Sequence, residues 1–258
     1  MQVTAEKNDL LTIAALGLLA MCIVTFDHEA LGHASACILL HGHIRLLSSS
    51  LFRCDVRSGW IDPAGPAANL VVGTLAMLCL RFVPERLPSI KLLLIAITSF
   101  SYFWEAGYVI RAMVVRDGDL YFFAQFLLRE VSVWERFVIA GAGLALYVIT
   151  VRFASRQLLH LWPNLRMARA GARTIWISAT AGAFLAAVVY GGPGWRDLHD
   201  SVLEIGGASL PLLFIPFRSR AVEGASSALV TQSKIMIVVA VVIYAVFVAS
   251  LGRGIGTR

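Results

Sequence analysis

Seven consecutive residues hold Asp27, His28, Glu29 and His33, inside the stretch TFDHEALGHASAC. These are the groups a zinc hydrolase needs. Two or three neutral imidazole or carboxylate ligands hold the ion, one position stays open for water, and a nearby carboxylate takes the water's proton. In the zinc-protease pattern His-Glu-x-x-His the two imidazoles stand at i and i+4, on one face of a helix. Here Ala30, Leu31 and Gly32 separate Glu29 from His33, one residue too many. At about 100° per residue, histidines five apart lie roughly 140° apart around a regular helix and cannot share an ion.

Two backbones restore a metal site. A π-bulge, with its i→i+5 bonding, admits one extra residue into a turn and brings His28 and His33 onto one face, leaving Glu29 as proton acceptor. In a regular helix the i, i+4 pair is instead Glu29 and His33, both ligands, and the proton acceptor must come from elsewhere. Gly32 lowers the cost of irregular backbone and favours the bulge.

The elements that must carry these groups are apolar helices. Of 258 residues, 58% are hydrophobic and 15% charged, too few charges to clothe a soluble globule. The expected fold is an all-α integral membrane protein, one polytopic domain over 1–258, with about six transmembrane helices and interfacial segments. Its spans are placed at Leu10 to Phe26, continuing toward Leu40, at Asp62 to Phe82, and at Lys91 to Val115. The remaining three are Phe137 to Val151, Thr174 to Tyr190 (closed by GGPG), and Lys234 to Leu251.

Gly42 to Asp62 reads as a loop or a short extended excursion, and LYFFAQFLLREVSVWER as an interfacial or part-inserted amphipathic stretch. GGASLPLLFIPF is too short to span and reads as interfacial or re-entrant. With the N-terminus inside, Lys and Arg divide evenly between the two faces. Short loops weigh most, which favours N-inside only slightly.

The net charge of +6 falls between apolar blocks, where basic residues meet lipid headgroups; nucleic acid is not an expected partner, the bilayer is. Cys22, Cys37, Cys54 and Cys79 show no Cys-x-x-Cys spacing and read as small buried hydrophobes without a disulfide. The N-terminal apolar run has no small-residue cleavage site and reads as a signal anchor.

Ionisable groups within apolar spans are costly and are functional candidates by default. Beyond the histidine cluster, Glu105 is such a group, as a ligand, a proton relay or a partner for Arg111. The glycines of IAGAGLAL suggest close helix packing. His41, His43 and His199 read as exposed.

HEALGHASA resembles, with one residue inserted, the zinc motif of the site-2 protease (M50-like) intramembrane metalloproteases. DPAGPAANLVVGTLA is similar to the Ala-Gly-Pro-x-x-Asn that opens a later span in that family, and GYVIRAMVVRDGDLYF to the Gly-Asp-aromatic close of the following one. The likeness covers roughly 10–125, the metalloprotease-like core, with 126–258 as additional helices.

The resemblance implies Zn²⁺ bound by His28, His33 and Asp119, with Asp117 and Glu105 as rivals for the third ligand. It further implies Glu29 as the catalytic base, Asn69 holding an extended substrate strand or the developing oxyanion, and a bacterial plasma membrane as the location. The expected activity is hydrolysis of membrane-embedded or juxtamembrane peptide segments. The alternatives are a non-catalytic protein of the same fold with a passive metal site, and an ion- or proton-conducting transporter. His28 to His33 ends the first pass, Gly65 to Asn69 begins the second and Asp119 follows the third. An up-down-up arrangement therefore gathers all three on one face. The charge pattern puts that face outside and the resemblance puts it inside, so the side stays open.

Overall fold

A computed structural model of the chain describes residues 8–190, 195–214 and 229–256. Six of its helices are long and apolar enough to cross a bilayer. They are α1 (Leu10–Leu39), α2 (Ala64–Phe82), α3 (Pro88–Val115), α5 (Val133–Leu161), α6 (Leu165–Val189) and α9 (Lys234–Gly252). A short helix, α4 (Asp119–Leu128), lies between α3 and α5. A hairpin of β1 (Ile44–Leu47) and β2 (Phe52–Cys54) follows α1.

The helix starts are set by local chemistry. The Asp9 carboxylate caps α1 by accepting from Thr12 N at 2.7 Å. Pro88 occupies the first turn of α3, where its missing N–H costs nothing. LYFFAQFLLREVSVWER is not one interfacial stretch. Arg129, with φ of 63°, ends α4, and a Ser132–Glu135 capping box starts α5 at Val133, four residues before the expected Phe137. The Asn164 side chain likewise starts α6 at Leu165 rather than near Thr174. The GGPG run lies outside the described residues.

The core lies where α1 packs on α3 and α6, and α3 on α5, around Leu16, Met21, Phe100, Phe103, Trp104, Leu158 and Ile175. Gly143 of IAGAGLAL does serve close packing, since a Cβ there would lie 3.0 Å from Ala106 O on α3. Gly141 of the same run faces open space.

Between α6 and α9 the chain returns through the bundle along a segment that the sequence marks only as interfacial or re-entrant. Helix α7 (Trp195–Ser201) continues into a π-helical turn, Val202–Gly207, and a short α8 (Pro211–Phe214). Asp200 pairs with Arg111 near the end of α3 at 3.7 Å. Gly206 O then accepts from Trp176 Nε1 at 2.9 Å, and Leu213 O from Arg173 Nε at 3.3 Å. These contacts step backward along α6, so this segment, which includes most of GGASLPLLFIPF, runs antiparallel to it; 215–217 of that run lie outside the described residues. Val230 next meets the start of α1, its carbonyl accepting from Asp9 N at 2.8 Å. Helix α9 therefore begins at the far end of the bundle, and Ile255 bridges to Leu47 of β1 at the near end.

The cysteines correct an expectation. Cys37, near the end of α1, and Cys54, in β2, form a disulfide, whereas Cys22 and Cys79 are free. The hairpin places Cys54 against α1 although 17 residues separate the two cysteines, a pairing that no Cys-x-x-Cys rule detects.

Candidate metal centre

The surplus residue in HEALGHA is absorbed by a π-helical segment, Asp27–Ala34, inside α1. One π turn separates His28 from His33, so both rings leave the same face, and their Nε2 atoms stand 3.2 Å apart. Asp119 Oδ2 lies 3.3 Å from His33 Nε2. One ligand atom from each of these three residues falls within 4.8 Å of the others, a set able to hold a metal ion.

The opposite edges of both rings fix their protonation. His33 Nδ1 is 2.8 Å from Ile61 O, and a carbonyl only accepts, so Nδ1 carries the proton. His28 Nδ1 is 3.1 Å from Glu105 Oε1 and also 3.1 Å from Asn69 Nδ2; donating to the carboxylate gives it the same tautomer as His33. Asn69 Nδ2 donates to that Glu105 oxygen at 2.7 Å. With both rings neutral, each turns a bare Nε2 lone pair toward the other, with Asp119 beside them. Such an arrangement repels itself unless a cation stands between. Ligand atoms about 2.0–2.1 Å from a tetrahedral ion lie about 3.3 Å apart, close to the two separations found here. The residues fit a metal ion.

Packing holds the ligands from every side. The His28 ring stacks on Trp104 with centroids 4.4 Å apart and planes 8° from parallel. Phe52 of β2 stacks on His33 at 5.6 Å. Gly65, at the start of α2, sits against both rings: a Cβ there would fall 2.4 Å from His33 Nε2 and 2.6 Å from His28 Nε2. Gly32 lies equally close to Gly65, its notional Cβ 2.5 Å from Gly65 Cα. Glycine at both positions is what lets α2 abut the π segment.

Asp119 arrives through a turn that only unusual backbone makes, Arg116 at φ 60° and Gly118 at φ 97°. Its N–H donates to the Tyr108 hydroxyl at 3.1 Å. Burial works against an ionised Asp119, but where a proton rather than a metal sits on His33 Nε2, its hydrogen bond to the carboxylate and the imidazolium charge together hold the carboxyl below the usual carboxylate range. Nearby Asp62 goes the other way, pushed up to about 6 by burial and by the Asp119 charge.

Of the residues singled out in the sequence, His28, His33 and Asp119 come together, and Glu29 lines the same cavity, of about 180 Å³. Asp117 also lines that cavity but is outside the three-residue cluster. Glu105 bonds His28 and Asn69 rather than Arg111, and supports a ligand instead of being one. Asn69 is fully buried and gives its amide to Glu105, so it is not among the residues lining the cavity. His43 bonds Asp55 and is exposed, as is His199.

Beside Tyr108 and Arg111 of α3, Asp200 and Glu204 also line the cavity and had no signal in the sequence. They converge only because 195–214 folds back through the bundle. Compared with protein-family models, curated proteins and solved structures, the chain matches none.

Proposed function

We propose that the chain is a multi-pass membrane protein that binds Zn²⁺ through His28, His33 and Asp119 and hydrolyses peptide bonds in membrane-embedded or juxtamembrane segments. The supporting observation is the convergence of two imidazole Nε2 atoms and one carboxylate, with the outer edge of each ring hydrogen-bonded within the protein. When bound, zinc supplies a Lewis acid that polarises a carbonyl and acidifies water.

Glu29 follows His28 directly and lines the same cavity, where it takes the attacking water's proton and returns it to the leaving amine. Glu105 keeps the His28 ring turned so that Nε2 stays available. Trp104, Phe52 and Ile61 hold both rings and exclude bulk water from that side.

The hairpin offers a way to present substrate. Ile255 covers Leu47 of β1, while β2 pairs no third strand among the described residues. Phe52 lines both the metal cavity and a broader groove of about 670 Å³ between β2 and α4, floored by Ile61, Phe122 and Phe126. An unwound segment adding to the β2 edge would run from this groove toward the histidines, held by main-chain hydrogen bonds.

The test is hydrolysis of a quenched apolar peptide by purified zinc-loaded protein in detergent, wild type against Glu29→Gln. Expected is cleavage by wild type and a loss of about 10²–10⁴-fold in Glu29→Gln with zinc content unchanged. Equal turnover by both proteins removes Glu29 as the base. Zinc bound with no cleavage by wild type, across a library of apolar peptides, favours the passive metal site instead.

A further inference from the structure

The Cys37–Cys54 disulfide lies at the metal end of the bundle. Cys37 is one helical turn beyond His33, and Cys54 is two residues beyond Phe52, whose ring stacks on His33. The bond thus fastens the hairpin wall to the helix that carries a ligand. Stable disulfides belong to oxidising compartments, and thiols on the reducing side of a membrane stay reduced. The exposed free cysteine, Cys79, is at the other end, in the last turns of α2.

Loop length gives a second pointer, since Lys and Arg divide evenly between the two faces and only their crowding into a short turn tips the balance. The turn joining α5 to α6, at the far end, is flanked by Arg152, Arg156, Arg166, Arg169 and Arg173 with no acid among 152–173. The metal end carries Arg45, Arg53, Arg57, Arg116 and Arg129 as well, but spread over the longer connections 40–63 and 116–132 and interleaved with Asp55, Asp62, Asp117, Asp119 and Glu130. Short loops rich in arginine stay on the cytoplasmic side.

We infer that the metal end faces the oxidising, extracytoplasmic side of the membrane, with the start of α1 inside and the strand-like tail at Ile255 outside. The return of 195–214 through the bundle is what sets the two chain ends on opposite faces. Closing the disulfide removes two electrons and two protons from the Cys37 and Cys54 thiols. An oxidised disulfide carrier of that compartment accepts them by exchange and leaves as a dithiol. On the peptidase reading, on which this last step rests, the substrates are segments of membrane proteins that emerge on the outer face, admitted along β2.

Orientation is tested with a membrane-impermeant polyethylene-glycol maleimide on intact cells expressing the full chain, counting mass additions on a gel. Wild type is expected to take no label until a reductant is added, and then to label at Cys54. Cys37→Ser, which frees the Cys54 thiol, is expected to label without reductant. Cys79 is expected to label only after detergent opens the membrane.

Labelling of Cys79 in intact cells, or of Cys54 only after detergent, would overturn the inference. Should Cys37→Ser fail to accumulate, non-reducing peptide mapping of wild type decides the matter. A Cys37–Cys54 cross-linked peptide supports the inference and two free thiols overturn it. None of these readouts depends on metal or hydrolysis, so a failed peptidase reading leaves them intact.

Discussion

Gly65→Ala is the sharpest perturbation of the metal centre, because it adds one methyl and removes no ligand. The added Cβ would lie 2.4 Å from His33 Nε2 and 2.6 Å from His28 Nε2, where Cβ contacts below 3.0 Å essentially never occur. The rings or the start of α2 must therefore retreat by roughly half an ångström, against a tolerance of about 0.2 Å for metal–ligand distances. The rings have little room to yield, since Trp104 backs His28 and Phe52 backs His33. Overpacking of this kind costs about 1–3 kcal/mol, which here corresponds to roughly ten- to hundredfold weaker metal binding.

Competition of the purified protein against a chelator of known affinity reads this directly, with Gly141→Ala as the control. No atom lies within 4 Å of a Cβ at Gly141, so that variant should bind metal like wild type. Wild-type affinity in Gly65→Ala would refute the placement of α2 against the two rings.

Three further outcomes follow from the same geometry. Glu105→Gln weakens the hold on the His28 ring and should lower metal affinity about 10–100-fold by chelator competition, without abolishing the fold. Trp104→Ala empties a site that is 1% exposed and should cost about 3–5 kcal/mol, seen as a lowered midpoint in thermal unfolding. Reducing Cys37–Cys54 opens a loop closed over 17 residues and should cost about 3 kcal/mol, read as a reductant-dependent fall in the same midpoint.

What the sequence revealed of this site, and what it hid, has a physical pattern. Counting residues showed that His28 and His33 cannot share an ion on a regular helix, which left the π segment or a regular helix with Glu29 and His33 as ligands, and the backbone takes the π segment. Asp119 was reached through the resemblance, with Asp117 and Glu105 as rivals; alternating spans made it geometrically possible by bringing the end of α3 back to the end of α1. The disulfide was hidden because it depends on a hairpin register that slips between Ile44 and Leu46. Glu204 and Asp200 were hidden for a related reason. They reach the cavity through a segment too short and polar to register as a span, whose path is set by contacts with α6 such as Trp176 to Gly206. The role of Asn69 shifted because its neighbour across the α2–α3 contact, Glu105, captures the amide. Local pattern shows which groups are costly to bury, but not which partners settle them.

The central claim is that His28, His33 and Asp119 bind one metal ion. Elemental analysis of the purified full-length protein, with X-ray absorption at the metal edge, tests it most directly. Expected is about one ion per chain, coordinated by nitrogen and oxygen only, and lost in His28→Ala, His33→Ala and Asp119→Ala. A metal-free wild type that takes up no zinc on titration, or an ion retained in His33→Ala, would contradict it.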